Sequence, residues 1–196
     1  MSQPVPGSDH PVQMIVTDDL VRSRVTVFFR LLLAIPHFIV VVLWGALAEP
    51  AVLIAWFAAL FVGRMPAGLH SFVASYLRYT TRVAAYTLLL ANPYPPFGGS
   101  GSYPVDVSFA GPEAQSRLTV FFRLLLAIPA FFLTSVFRSV NQIIAILGWF
   151  YALATGRMNG GMRDLSVWLL RYEVQTYAYA FLLTGRYPSL AGAPSV

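Results

Sequence analysis

Cysteine and lysine are both missing from this chain, and only 11% of its 196 residues are charged. Without cysteine there is no disulfide framework, no thiolate metal site and no cysteine nucleophile. The three histidines, His10, His37 and His70, lack ligand spacing, so no metal centre is expected. Carboxylates are sparse as well, with 8 Asp and Glu in all. No carboxylate pair, Ser–His–Asp set or dinucleotide fingerprint stands out, so neither an enzyme activity nor a cofactor is expected. The 13 basic residues, all arginine, give a net charge of +5 but are scattered among apolar runs. They make no basic face, which excludes nucleic acid as an expected partner.

What the chain does have is apolar residues. They make up 57% of it, against about 45–50% in a soluble domain. That much hydrophobicity excludes disorder outside the tails and points to an all-α integral membrane protein. The first ten residues, MSQPVPGSDH, are polar and lack the basic start of a signal peptide. The first apolar run, from near Val25, is expected to act as an uncleaved insertion signal.

An internal repeat organises the sequence. SRVTVFFRLLLAIPHF from Ser23 recurs as SRLTVFFRLLLAIPAF from Ser116, an offset of 93 residues. The offset holds without a gap: Trp56-Phe57 matches Trp149-Phe150, Gly63-Arg64-Met65 matches Gly156-Arg157-Met158, and Leu77-Arg78-Tyr79 matches Leu170-Arg171-Tyr172. The organisation expected is a polar tail (1–10), a first membrane repeat (11–97), a Gly/Ser linker (98–103), a second repeat (104–190) and a short tail (191–196). The GGSGS of the linker lacks the lysine and the strand-to-helix setting of a phosphate loop.

Each unit opens with an alternating stretch, Val12–Val16 or Val105–Phe109, that suits a short surface strand. Ser23, Thr26 and Arg30 then form a narrow polar stripe of an interfacial helix, which Pro36 is expected to end or kink. The apolar runs that follow, Leu31–Ala48 and Pro50–Gly63, predict a helical hairpin turning at Glu49-Pro50. In the second unit they are Leu124–Phe137 and Ile143–Gly156, with the turn around Asn141. The last element, Leu69–Leu90 or Met162–Leu183, carries a polar stripe among tyrosines and predicts an amphipathic interfacial helix. A third span, with its stripe buried against the hairpin, is the alternative.

Matching arginines in both copies favour parallel repeats, because inverted copies would place one full set outside. The expectation is four crossings of a bacterial cell membrane, both termini cytoplasmic, with Glu49 and Asn141 at the outer turns; re-entrant hairpins that do not reach the far side are the alternative, because the 14-residue runs are short. The matched arginines and their neighbours, Arg24, Arg30, Arg64, Arg78, Arg82, Arg117, Arg123, Arg157 and Arg171, are the candidate binding residues for anionic lipid headgroups.

The elements RxTVFFRLLLAIPH, GRxP, LRYxxRVxAY and YPPF resemble those of an uncharacterised membrane family, domain of unknown function 4389, common in actinobacteria. Both copies resemble it, so the likeness covers nearly the whole chain. The second copy departs at Ala130 for His37, Asn159 for Pro66, Gln175 for Arg82, and Ser189-Leu190 for Pro96-Phe97. The resemblance implies a multi-pass membrane protein and no established activity. The expected function is a non-enzymatic scaffold that organises or curves the membrane, with lipids as partners and self-association as a further expectation. The alternatives are a small carrier or channel for a lipophilic or anionic compound, and an accessory subunit of a membrane complex.

Overall fold

Two short strands at the heart of the molecule set its symmetry. In a computed structural model, which describes residues 10–99 and 101–191, β1 (Val12–Val16) pairs antiparallel with β2 (Val105–Phe109). The alternation of the two strands matches their expected form, with Val12, Met14 and Val16 buried on one side. Met14 faces Val107, its own counterpart 93 residues on. An antiparallel pair has a twofold axis perpendicular to its sheet. That axis passes between Met14 and Val107 and relates the two repeats.

Contacts elsewhere obey the same axis. Val21 bridges to Arg157, and Arg64 bridges to Ala114. The Trp56 indole donates to the Val120 carbonyl at 2.9 Å, and Trp149 donates to Val27 at 2.9 Å. Each bond joins one repeat to the other. The repeats are therefore interlocked: α1 (Arg24–Phe28) packs on α5 (Arg123–Thr155), while α4 (Arg117–Phe121) packs on α2 (Arg30–Val62).

The long helices correct the expected hairpins. Both α2 and α5 run unbroken for 33 residues, through Pro36 and Pro50 in the first and Pro129 in the second. Glu49 and Asn141 thus lie within helices, not at turns. An interior proline costs about 3 kcal/mol, but here the buried stripe continues past it. Ala34, His37, Gly45, Ala48, Ala51, Ala55 and Ala59 follow at spacings of three, four and eight along one narrow face of α2. In α5, Asn141 sits on the matching stripe and donates to the Ser166 carbonyl. Both helices are long and apolar enough to cross a membrane. Only 22% of the most apolar window of each is buried, unlike the core helix of a soluble domain.

The remaining helices, α3 (Ala67–Thr87) and α6 (Gly160–Ala180), pack against each other and against α2 and α5 respectively. They end before the expected Leu90 and Leu183 because the chain turns left-handed at Leu89 and Leu182, φ +63° and +65°. Leu90 then donates to Ala85, and Leu183 to Ala178, closing each helix end. A glycine would adopt that conformation at lower cost. Leu89 is held instead by burial against Val27, Ala152 and Met158 of both repeats. The C-terminal half of the polar stripe of α3 is taken up by the sheet, since Arg78 and Arg82 reach β2, while Ser71 stays exposed. The polar tail through residue 9, Ser100 of the linker and the tail from residue 192 lie outside the described residues.

Interlocking gives a stability test. Trp56→Phe and Trp149→Phe each leave a carbonyl of the other repeat without its donor and should cost about 1–2 kcal/mol. The double variant should cost the sum, because distant sites add. Denaturant unfolding of the three variants checks this.

Candidate functional site

The nine candidate arginines divide into two groups. Arg30 and Arg123, at the starts of α2 and α5, are 2% and 1% exposed. Arg30 donates from Nη1 to the Tyr86 and Ala91 carbonyls at 2.7 and 3.0 Å. Arg123 does the same to Tyr179 and Thr184 at 2.8 and 2.7 Å. Each guanidinium stacks on the tyrosine whose carbonyl it binds, 4.4 and 4.3 Å from the ring centroid. Carbonyls at a helix end carry partial negative charge, so a buried cation belongs there. Burial lowers the Arg30 pKa to about 10, and the group stays charged at neutral pH. These arginines fasten the long helices to the ends of α3 and α6 and do not reach a headgroup.

Arg82 and Arg171 are also turned inward. Arg82 meets Asp106 of β2 at 2.8 Å and the Gly101 carbonyl at 2.7 Å. Arg171 donates to the Ala191 carbonyl. Arg78, half-buried, donates from Nε to the Val107 carbonyl at 3.0 Å.

The other four candidates, Arg24, Arg64, Arg117 and Arg157, are exposed. Arg24 donates to Ala154 at the end of α5, which places it beside Arg157. The bridge of Arg64 to Ala114 places Arg64 beside the start of α4, where Arg117 lies. The molecule thus carries one basic pair at each end of its long helices. Between them runs exposed apolar surface that includes Leu31, Ile35, Phe38, Val42, Leu53, Phe57 and Phe61 on α2. Leu124, Ile128, Phe132, Ile146 and Phe150 repeat it on α5. Halfway along α5, exposed Arg138 is closed off by the Glu173 carboxylate and the Tyr177 hydroxyl.

Two arrangements escaped the sequence reading. Arg22 is buried, binds Asp18 at 2.5 Å, and donates from Nε and Nη2 to the left-handed Leu89 carbonyl. Its counterpart Gln115 donates to Leu182. The second arrangement is an open cleft of about 300 Å³ lined by Ile15, Arg78, Arg82, Gly101, Asp106, Val107 and Ser108. A paired change could have revealed it: Arg82 of the first copy and Asp106 of the second are matched, at the symmetry-related position, by Gln175 of the second and Gln13 of the first. His37 Nδ1 lies 2.7 Å from the Tyr79 hydroxyl, and its ring packs on Tyr94 and Phe97. Burial lowers its pKa. Among the described residues no group of three His, Cys, Asp or Glu could hold a metal ion.

The division of the arginines is testable by stability. Arg30→Met and Arg123→Met leave the Ala91 or Thr184 carbonyl without its donor and remove the second bond to Tyr86 or Tyr179, and should each cost about 1.5–3 kcal/mol, the range for a hydrogen bond to a charged group. Arg24→Gln and Arg117→Gln, exposed, should stay within about 0.5 kcal/mol of the parent. Chemical denaturation measures both sets.

No curated protein and no solved structure matches the chain. The model of one family, described as a domain of unknown function (DUF4389), matches twice, over residues 24–98 and 117–191. Each match takes in one long helix, the helix packed on it and the arginine that joins them. The chain therefore belongs to the family of domain of unknown function 4389, as two tandem copies.

Proposed function

We propose that this protein is a non-enzymatic scaffold that lies in one leaflet of a membrane and curves or organises it. The observation that carries this reading is the direction of the twofold axis. The start of α2 lies beside the last turns of α5, where Phe28 stacks on Trp149, and the start of α5 lies beside the last turns of α2. By symmetry, both ends of each long helix then stand at the same height along the axis. The helices, each about 50 Å long at about 1.5 Å per residue, run perpendicular to it.

This leaves two orientations. With the axis in the membrane plane, the long helices cross the bilayer and the sheet sits at mid-depth. Exposed Gln13 and Ser108 and half-buried Asp106 and Arg78 would then face hydrocarbon. A single Asp or Arg at mid-depth costs about 2.5–3.5 kcal/mol. With the axis along the membrane normal, the sheet faces water and the long helices lie flat, their apolar surface sunk about 5–10 Å into one leaflet. The second orientation leaves Arg24 with Arg157, and Arg64 with Arg117, at headgroup level about a helix length apart. Arginine suits phosphate there because its planar fork binds two oxygens at once. It also keeps the two copies in one orientation, as the matched arginines favour. A cytoplasmic sheet face would then agree with the positive-inside pattern.

A rigid apolar body sunk in one leaflet expands that leaflet and bends the membrane. Single cysteines at Gln13, Arg24, Arg64 and Ser108 in the naturally cysteine-free chain test the orientation with an impermeant thiol reagent. All four should label from the same side of sealed vesicles. Labelling of positions 24 and 64 from opposite sides would mean that the helices cross, and would overturn the reading. Replacing Arg24, Arg64, Arg117 and Arg157 by Gln should weaken binding to anionic vesicles by about fivefold per arginine, from about 1 kcal/mol each.

A further inference from the structure

The cleft beside β2 is not needed for membrane insertion, and it is built differently from its counterpart. In the second repeat, Arg171 is 5% exposed and its Nη2 is taken by the Ala191 carbonyl, so the chain itself covers the guanidinium. In the first repeat, the position that matches Ala191 is Gly98, at φ +84°. Arg78 binds by Nε to Val107 instead, and lines an open cleft of about 300 Å³. Among the described residues Arg78 is engaged through Nε alone, which leaves its two terminal amino groups for a further acceptor.

The rest of the cleft positions that guanidinium. Arg82, 1% exposed, is anchored by Asp106 and the Gly101 carbonyl. Asp106 is held in turn by the Val107 backbone N–H at 2.8 Å. The carboxylate lies 3.8 Å from Arg78 Nε, too far for a good hydrogen bond, so it does not close the fork. Two cations and one carboxylate leave one positive charge in the cleft. Ser108 adds a hydroxyl to its lining. The symmetry-related position has the neutral Gln175 and Gln13 in place of Arg82 and Asp106, and its one cation, Arg171, is already held by the Ala191 carbonyl.

We propose that this cleft is a binding site for a phosphate group, presented by a small water-soluble phosphorylated molecule and gripped by the Arg78 fork. The site stands on the cleft geometry alone. Only the aqueous source of the phosphate rests on the proposed orientation, in which the sheet faces away from the membrane.

Calorimetric titration of the full-length protein with inorganic phosphate and with glycerol 3-phosphate, at low ionic strength, tests this directly. One site per chain should be seen. Arg78→Gln should weaken it at least tenfold, while Arg171→Gln leaves it unchanged. Arg78→Lys keeps the charge but loses the fork and should fall between the two, which separates recognition from misfolding. Asp106→Asn removes the opposing charge and should tighten binding severalfold. Equal affinity in the parent and Arg78→Gln, or no titratable site, would overturn the proposal. Arg78-dependent binding to phosphatidylglycerol vesicles without any binding of the soluble phosphates would overturn the aqueous source. It would also put the sheet face on the lipid; the cysteine labelling could then still give all four positions on one side, so the two readings fail separately.

Discussion

The pairing of Met14 with Val107 constrains everything else in this molecule. When a strand pairs antiparallel with its own duplicate, the axis relating the two copies must stand perpendicular to the sheet. A parallel pairing would have given no such axis. Once the axis is fixed, the interlocking of α1 with α5 and of α4 with α2 forces the long helices to lie across it. The polar outer face of the sheet and the apolar surface of the helices then acquire distinct directions. Symmetry thus converts a local hydrogen-bond pattern of five residue pairs into a statement about the shape of the whole chain.

Buried arginine is the second element of the design. A cation with almost no exposure is costly to bury unless several acceptors surround it. Arg30 and Arg123 each meet that requirement in part, with two carbonyls and a tyrosine face, while Arg30 Nε and Nη2 and Arg123 Nε are buried without a hydrogen-bond partner among the described residues. The left-handed turns at Leu89 and Leu182 are what bring those carbonyls together, and Arg22 and Gln115 hold the turn carbonyls in place. The motif RLLLAIP is therefore a fastening between helices: arginine for the carbonyl cluster, alanine at position 34 or 127 for close approach, and leucines left facing outward. The GRM motif is likewise structural. Gly63 and Gly156 end the long helices at positive φ, and Met65 and Met158 return to the core.

Much of this was legible in the sequence, and the part that was not has a physical reason. The repeat, the two short strands and the apolar character of the middle of each unit follow from periodicity and a constant offset. The hairpins did not survive, because Glu49-Pro50 is a strong local turn signal that a continuous stripe of small buried residues outweighs. Local propensity cannot weigh that stripe without knowing what packs on it. Among the arginines the sequence does not separate Arg30, which faces carbonyls, from Arg24, which is exposed, since both sit at the edge of an apolar run. That distinction depends on a turn at Leu89 whose residue gives no left-handed signal. The Arg82–Asp106 pair was visible only as a joint change between copies, across 24 residues of chain.

The central claim is that α2 and α5 lie flat in the membrane. Polarised infrared spectroscopy of the protein in aligned bilayers measures it most directly, because the main amide transition of a helix lies close to its axis. The account predicts that this band is polarised in the bilayer plane, since α2, α5 and the helices packed along them share that plane. Polarisation along the membrane normal would mean that the long helices cross the bilayer, and would contradict the account.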